Sequence, residues 1–164
     1  RDGGLMKDII KILESDGRAT PEKIAVMLNR DVETVKAQIK ELEEKNIIVS
    51  YKAVVNWEKV DKDLIIAMIE LKITPQLGQG FDRVAERIYQ YPEVKSVYLM
   101  SGSYDLSVTI EGKTMREVAL FVAQKLAPME CVISTATHFV LRKYKDGGVI
   151  LTDGPQDDRQ VITL

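Results

Sequence analysis

The sequence predicts an α+β chain in two parts, an N-terminal winged helix-turn-helix followed by a βαββαβ sandwich of the ferredoxin-like kind. Three observations carry this reading. Apolar residues up to about position 45 recur at helical spacing in three short blocks. Thr20-Pro21-Glu22 and Asp31 supply helix starts on either side of a tight Asn29-Arg30 turn. Beyond residue 60 the period changes, and strand-like and helix-like stretches follow in the order β-α-β-β-α-β.

In the first block Met6, Ile9, Ile10 and Leu13 form one apolar helical face, stopped at Asp16-Gly17 with Gly17 suited to a left-handed residue. Arg1 through Gly4 receive no structural weight, since Arg rather than Met opens the sequence. The second helix spans about Pro21–Leu28. Thr20 is its N-cap, proline takes its first position, and Ile24, Met27 and Leu28 are its buried residues. Asp31 caps a third helix running to about Lys45, with Val32, Val35, Ile39 and Leu42 as its stripe and Asn46 closing it. A turn of about three residues between helices two and three holds the third across the second, the arrangement that presents a helix to a major groove. Ile47–Tyr51 and Ala53–Asn56 read as two short wing strands.

The second part opens with a very apolar strand, Leu64–Ile73, closed by Thr74-Pro75 and a loop containing Gly78 and Gly80. Phe81–Tyr91 is helical, with Phe81, Val84, Ala85 and Ile88 on one side, and Pro92 ends it. Val94–Met100 and Asp105–Ile110 form a hairpin around a Ser101–Tyr104 turn. Lys113–Leu126 is an amphipathic helix, and Cys131–Tyr144 a long last strand. One sheet face is left open in this order, so face-to-face pairing of subunits is expected. From Asp146 the tail reads as a hairpin of Val149–Leu151 with Val161–Leu164, the polar stretch Gln156–Gln160 lying between them, or as disorder. The domain ranges are therefore 1–60, 61–145 and 146–164.

Composition narrows the chemistry. The 164 residues carry 23 Lys+Arg against 25 Asp+Glu, so no strong overall field marks a nucleic-acid or membrane partner. No apolar run approaches the ~20 residues of a membrane helix. One cysteine, Cys131, and one histidine, His138, exclude a disulfide framework, a multi-Cys zinc site and paired-histidine metal sites. Cys131 reads as a small buried hydrophobe, His138 as a strand residue near an interface, and Met68, Met100 and Met115 as core or interface packing. Gly78-Gln79-Gly80 lacks the frame of a dinucleotide fingerprint. No catalytic or metal-binding set is readable, no cofactor is expected, and a cytoplasmic protein that is not an enzyme is the expectation.

Local sequences sharpen the comparison with known families. Asp16-Gly17-Arg18 precedes helix two, and Leu42 through Ile48 reads Leu-Glu-Glu-Lys-Asn-Ile-Ile. Tyr91-Pro92-Glu93-Val94 enters the second strand, and Gly102-Ser103-Tyr104-Asp105 sits in the central hairpin. On these motifs, over about residues 6–145, the chain resembles the Lrp/AsnC ("feast/famine") family of transcriptional regulators. The resemblance implies a DNA-binding N-terminal domain. It further implies a RAM-type C-terminal domain that forms dimers and higher rings, tetramers or octamers, and binds an amino-acid effector between subunits. Three departures stand out: Lys36-Ala37 where family recognition helices usually carry arginine, Met6 in place of an acidic residue, and a tail longer than most beyond Lys145.

Two candidate sites follow. On helix three, Glu33, Thr34, Lys36, Ala37 and Lys40 lie off the apolar stripe. Thr34 and Ala37 suit base edges or thymine methyls, and Lys36 and Lys40 suit phosphates. Arg30 and the helix N-terminus at Thr20 add phosphate contacts. The plainer alternative is a solvated helix face, and residues 1–60 hold 11 Lys+Arg and 11 Asp+Glu, a net charge of zero. Double-stranded operator DNA is the partner if the first reading holds. If not, the chain is an amino-acid-sensing oligomeric module whose helical domain contacts protein.

The second site is the hairpin Met100, Ser101, Gly102, Ser103, Tyr104 and Asp105, with Thr135 and Thr137 on the last strand. An amino acid needs an anion for its ammonium group, here Asp105, and N–H or O–H donors for its carboxylate. The alternative is a tight turn using Gly102 for a positive φ and Asp105 as a local cap.

Overall fold

The computed structural model describes residues 3–61, 63–74 and 80–153. It divides into two compact units, Arg1–Val54 and Val55–Leu164.

The first unit is three helices: α1 (Gly3–Ser15), α2 (Pro21–Leu28) and α3 (Val32–Glu44). Gly3 and Gly4 are thus helical, one turn earlier than the apolar period indicates. The core is Ile9, Leu13, Ala19, Ile24, Ala25, Val35 and Leu42, ringed by half-buried Met6, Ile10, Leu28, Val32 and Ile39. Met27, expected inside, is 57% exposed; Ala25 takes the buried place beside Ile24, so the packed face of α2 is rotated toward its small residue. Thr20 Oγ1 accepts the Lys23 N–H at 3.2 Å, and Asp31 Oδ2 accepts from Thr34 N at 3.0 Å, as the capping signals require.

Helices α2 and α3 then end in the same way. Asn29 and Asn46 are left-handed (φ 51° and 52°), and the following N–H groups reach back to Ala25 O and Leu42 O, a Schellman closure. Gly17 is not left-handed. The turn there is made by Asp16, whose carboxylate accepts the Arg18 N–H at 3.1 Å, so a side chain does what glycine was expected to do. The two wing strands are absent as well: residues 49–56 are irregular and make no ladder among the described residues. Tyr51-Lys52-Ala53 contains no Gly, Asn or Asp to form a two-residue hairpin turn.

The second unit begins with a 3₁₀ turn at Trp57–Lys59. Residues 55–60, read from sequence as the end of the N-terminal domain, therefore fall with the second unit. Then come β1 (Ile65–Ile73), α4 (Asp82–Tyr89), β2 (Val94–Leu99), β3 (Leu106–Gly112), α5 (Met115–Phe121, running into a π turn Val122–Leu126) and β4 (Val132–Phe139). The sheet order is β2-β3-β1-β4, antiparallel throughout, the ferredoxin-like arrangement. Alternation sends Ala67, Ile69, Leu71 and Ile73 of β1 into the core with Leu106, Val108 and Ile110 of β3. Val84 and Ile88 of α4 and Val118 and Phe121 of α5 cover that face. Gly112 is where α5 approaches closest: a Cβ there would lie 2.9 Å from Val118 Cγ2. Cys131 is buried, as expected.

The other sheet face carries Met68, Glu70 and Lys72 of β1, Ser107 and Thr109 of β3, and His138 of β4, with His138 Nε2 3.4 Å from Glu70 Oε1. Met68, Met100 and Met115 are all exposed in the single chain, so none is core. β4 stops at Phe139 instead of continuing to Tyr144, because its partner β1 ends at Ile65; Val140 N makes the last bond, to Ile66 O. The remaining residues form a separate hairpin, β5 (Lys145–Asp146) with β6 (Val149–Ile150), around left-handed Gly147-Gly148. Val149 thus pairs with Asp146. Its expected partner strand Val161–Leu164, with Gln156–Gln160, lies outside the described residues, as do Pro75 and Gly78 of the loop after β1.

Candidate functional site

Helix α3 gathers the first set of expected residues on one exposed face. Glu33, Thr34, Lys36, Ala37 and Lys40 all face solvent, opposite buried Val35 and Leu42. Thr34 is engaged at its base, its Oγ1 3.2 Å from the capping carboxylate of Asp31. Thr20 stands exposed at the start of α2, and Arg30 at the turn before α3.

The electrostatics of this face are only partly readable from sequence. Lys36 Nζ lies 3.4 Å from Glu33 Oε1 and 3.6 Å from Glu22 Oε1, the latter reaching across from α2. Lys40 pairs with Glu44 at 3.7 Å, and Lys45 with Glu41. Attraction to Glu33, a hydrogen bond to it and attraction to Glu22 raise the Lys36 pKa, so this ammonium stays charged. The spacings of Lys36 to Glu33 and Lys40 to Glu44 are legible at i−3 and i+4; the Glu22 contact depends on how α2 and α3 cross. All these pairs are solvent-exposed and individually weak, so a phosphate can replace a carboxylate at small cost.

The second set lies at one end of the sheet. Met100, Ser101, Gly102 (φ 128°) and Ser103 are exposed, and Tyr104 and Asp105 are half-buried. Asp105 is the knot of this region. Its N–H donates to Leu71 O at 2.9 Å, its C=O accepts from Met100 N at 2.8 Å, and its Oδ2 accepts the Ile73 N–H at 2.8 Å. The β1–β4 register shifts between Lys72 and Ile73, and Asp105 satisfies an amide at that irregularity. One carboxylate oxygen is therefore occupied by the chain, and Oδ1 has no hydrogen-bond partner among the described residues. Thr135 stands opposite Leu71, near this knot, and half-buried; Thr137 is opposite Ile69, further along the edge strand, and exposed.

Comparisons with known proteins agree with this division. Residues 5–49 match the family model for a winged helix-turn-helix DNA-binding domain, and residues 66–150 the model for the Lrp/AsnC ligand binding domain. The chain is 48% identical over 157 residues to the HTH-type transcriptional regulator YugG of Bacillus subtilis, covering 95% of each. It is 33% identical to the HTH-type transcriptional regulator FL11 of Pyrococcus furiosus, covering 85% of this chain and 89% of that one. Its fold matches the transcriptional regulator NMB0573 of Neisseria meningitidis, crystallised as an L-Met complex, with a TM-score of 0.70 at 23% identity over 86% of this chain and 90% of that one.

Proposed function

Because the chain belongs to the Lrp/AsnC family of transcriptional regulators, we propose that α3 reads operator DNA and that the 100–105 hairpin holds an amino-acid effector at a subunit boundary. The observation that carries this reading is the α3 face. Five off-stripe positions point to solvent together, on the helix that a helix-turn-helix offers to a major groove. Thr34 and Ala37 meet base edges; Lys36, Lys40, Arg30 and the α2 N-terminus at Thr20 meet phosphates; Glu33 tunes Lys36. Net neutrality of the domain makes each single contact weak, so several domains act together on one homodimer or a ring of dimers. Asp105 Oδ1 takes the effector's ammonium group, and the Ser101 and Ser103 hydroxyls, with Thr135 and Thr137, its carboxylate. The protein works in the cytoplasm and catalyses no reaction; no helix among the described residues is long and apolar enough to cross a membrane.

The test is fluorescence anisotropy of the full chain on a promoter fragment at several salt concentrations. Removing Lys36 and Lys40 together flattens the slope of log K against log salt by about 0.9 for each phosphate no longer neutralised. An unchanged slope in the Lys36→Ala, Lys40→Ala double variant would defeat the assignment of α3.

A further inference from the structure

The second unit contains a cavity of about 260 Å³ that shares no residue with the 100–105 hairpin. It opens between the Trp57 turn and the chain leaving β4. Its apolar walls include Trp57, Met115, Phe139 and Leu141; Glu58 and Asp61 stand on its border, as do Arg142 and Lys143. Trp57 is 48% exposed and Leu141 91%, a large amount of apolar surface for a single chain to leave wet.

Polar ties keep the walls in place. The Asn56 side-chain amide donates to Leu151 O at 2.8 Å, and Lys59 Nζ pairs with Asp153 Oδ1 at 2.9 Å. The two neighbouring cations differ. Lys143 is engaged by Asp146 at 3.1 Å. Arg142 has no carboxylate partner among the described residues, and its guanidinium lies over the Tyr144 ring, Cζ 5.3 Å from the centroid. A planar, oriented guanidinium at the mouth of an apolar cavity is built to take a carboxylate by two parallel hydrogen bonds. The volume falls just under the ~300–1,000 Å³ of ordinary small-molecule sites, which restricts the occupant to a compact molecule.

We propose that this cavity binds a small carboxylic acid with a branched or aromatic apolar body. The carboxylate meets Arg142, and the body displaces water from Trp57, Met115 and Phe139. An amino acid and its deaminated counterpart share this chemistry; in the former, Glu58 and Asp61 stand ready for the ammonium group. The inference rests on reading the second unit as a ligand-binding domain and adds to it a site apart from the hairpin.

Trp57 is the single tryptophan of the chain, so its emission reports occupancy directly. The full chain is titrated with L-leucine, with 4-methylpentanoate (leucine without its ammonium group) and with 3-methylbutylamine (leucine without its carboxylate), by fluorescence and by calorimetry in parallel. Both carboxylates are expected to shift Trp57 emission saturably, and the amine is not. A tighter response to leucine than to 4-methylpentanoate identifies an amino acid as the occupant. Arg142→Gln weakens the response roughly tenfold or more, as loss of a charged hydrogen-bond partner does, while Asp105→Asn leaves it intact. Leucine heat that Asp105→Asn abolishes, with Trp57 silent, places the ligand at the hairpin and overturns this inference while sparing the proposed function. A Trp57 shift that tracks protein concentration and ignores the acids assigns the cavity to contact between copies, and overturns it too. Absence of any binding signal from the acids sinks both.

Discussion

Asp31 and Asp105 do similar work in the two units, and they differ in how far they reach. Each carboxylate accepts a backbone N–H that the local chain leaves unpaired, Thr34 N for Asp31 and Ile73 N for Asp105. Asp31 spans three residues, within a motif that any helix start displays. Asp105 spans thirty-two and joins a hairpin to the far end of another strand. A local cap stabilises its helix and little else. A long-range one ties together three strands, so its loss loosens β1, β2 and β3 at once.

The comparison is broken most readily at Asp105. Replacing it by alanine strands a half-buried amide and is expected to cost about 1–3 kcal/mol in urea unfolding of the full chain. Asp105→Asn keeps an acceptor oxygen and should stay close to wild type. Equal losses in both variants would mean that the charge, rather than the Ile73 bond, carries the stability. Asp31→Ala comes next, at about 0.5–2 kcal/mol, the ordinary cost of an N-cap. Hydrogen exchange should confine its effect to the first turn of α3, whereas Asp105→Ala should release amides on three strands.

The smallest effect is at Asp16. The Arg18 backbone N–H, then Lys23, hold its carboxyl below the ordinary range. A depressed folded pKa contributes stability above the unfolded value, and that contribution is lost as pH falls through the folded one. Melting temperature measured from about pH 5 down to 2 should therefore fall less in Asp16→Asn than in wild type. Parallel curves would remove Asp16 from the acid response.

The same contrast explains what is legible in the sequence. Helix positions, caps and the closing role of Asn46 follow from residues within four or five of one another, and the three-helix unit is readable almost throughout. The strand order is readable too, since each strand's alternation marks its buried face. Contacts set by the crossing of distant elements are hidden: the Glu22 partner of Lys36, the Ile73 bond of Asp105, and the cavity walled by Trp57 and Leu141. Met27 departs from expectation because a small residue, Ala25, packs where a large one was expected. Gly147-Gly148 is a missed signal of the plainest sort, a two-glycine turn flanked by residues able to pair. Conversely, the expected wing strands rest on β-propensity alone, without turn chemistry between them.

Helix α3 carries its own counterions, and that bears on search. A face whose lysines already rest against Glu22, Glu33 and Glu44 gains less from an arbitrary stretch of duplex than a bare basic helix would, since each new phosphate contact displaces an existing partner. Generic affinity falls, and base contacts from Thr34 and Ala37 keep their value. Against the ~10⁶–10⁹ competing sites of a genome, such a helix trades grip for discrimination, spending less of its time held on the wrong sequence.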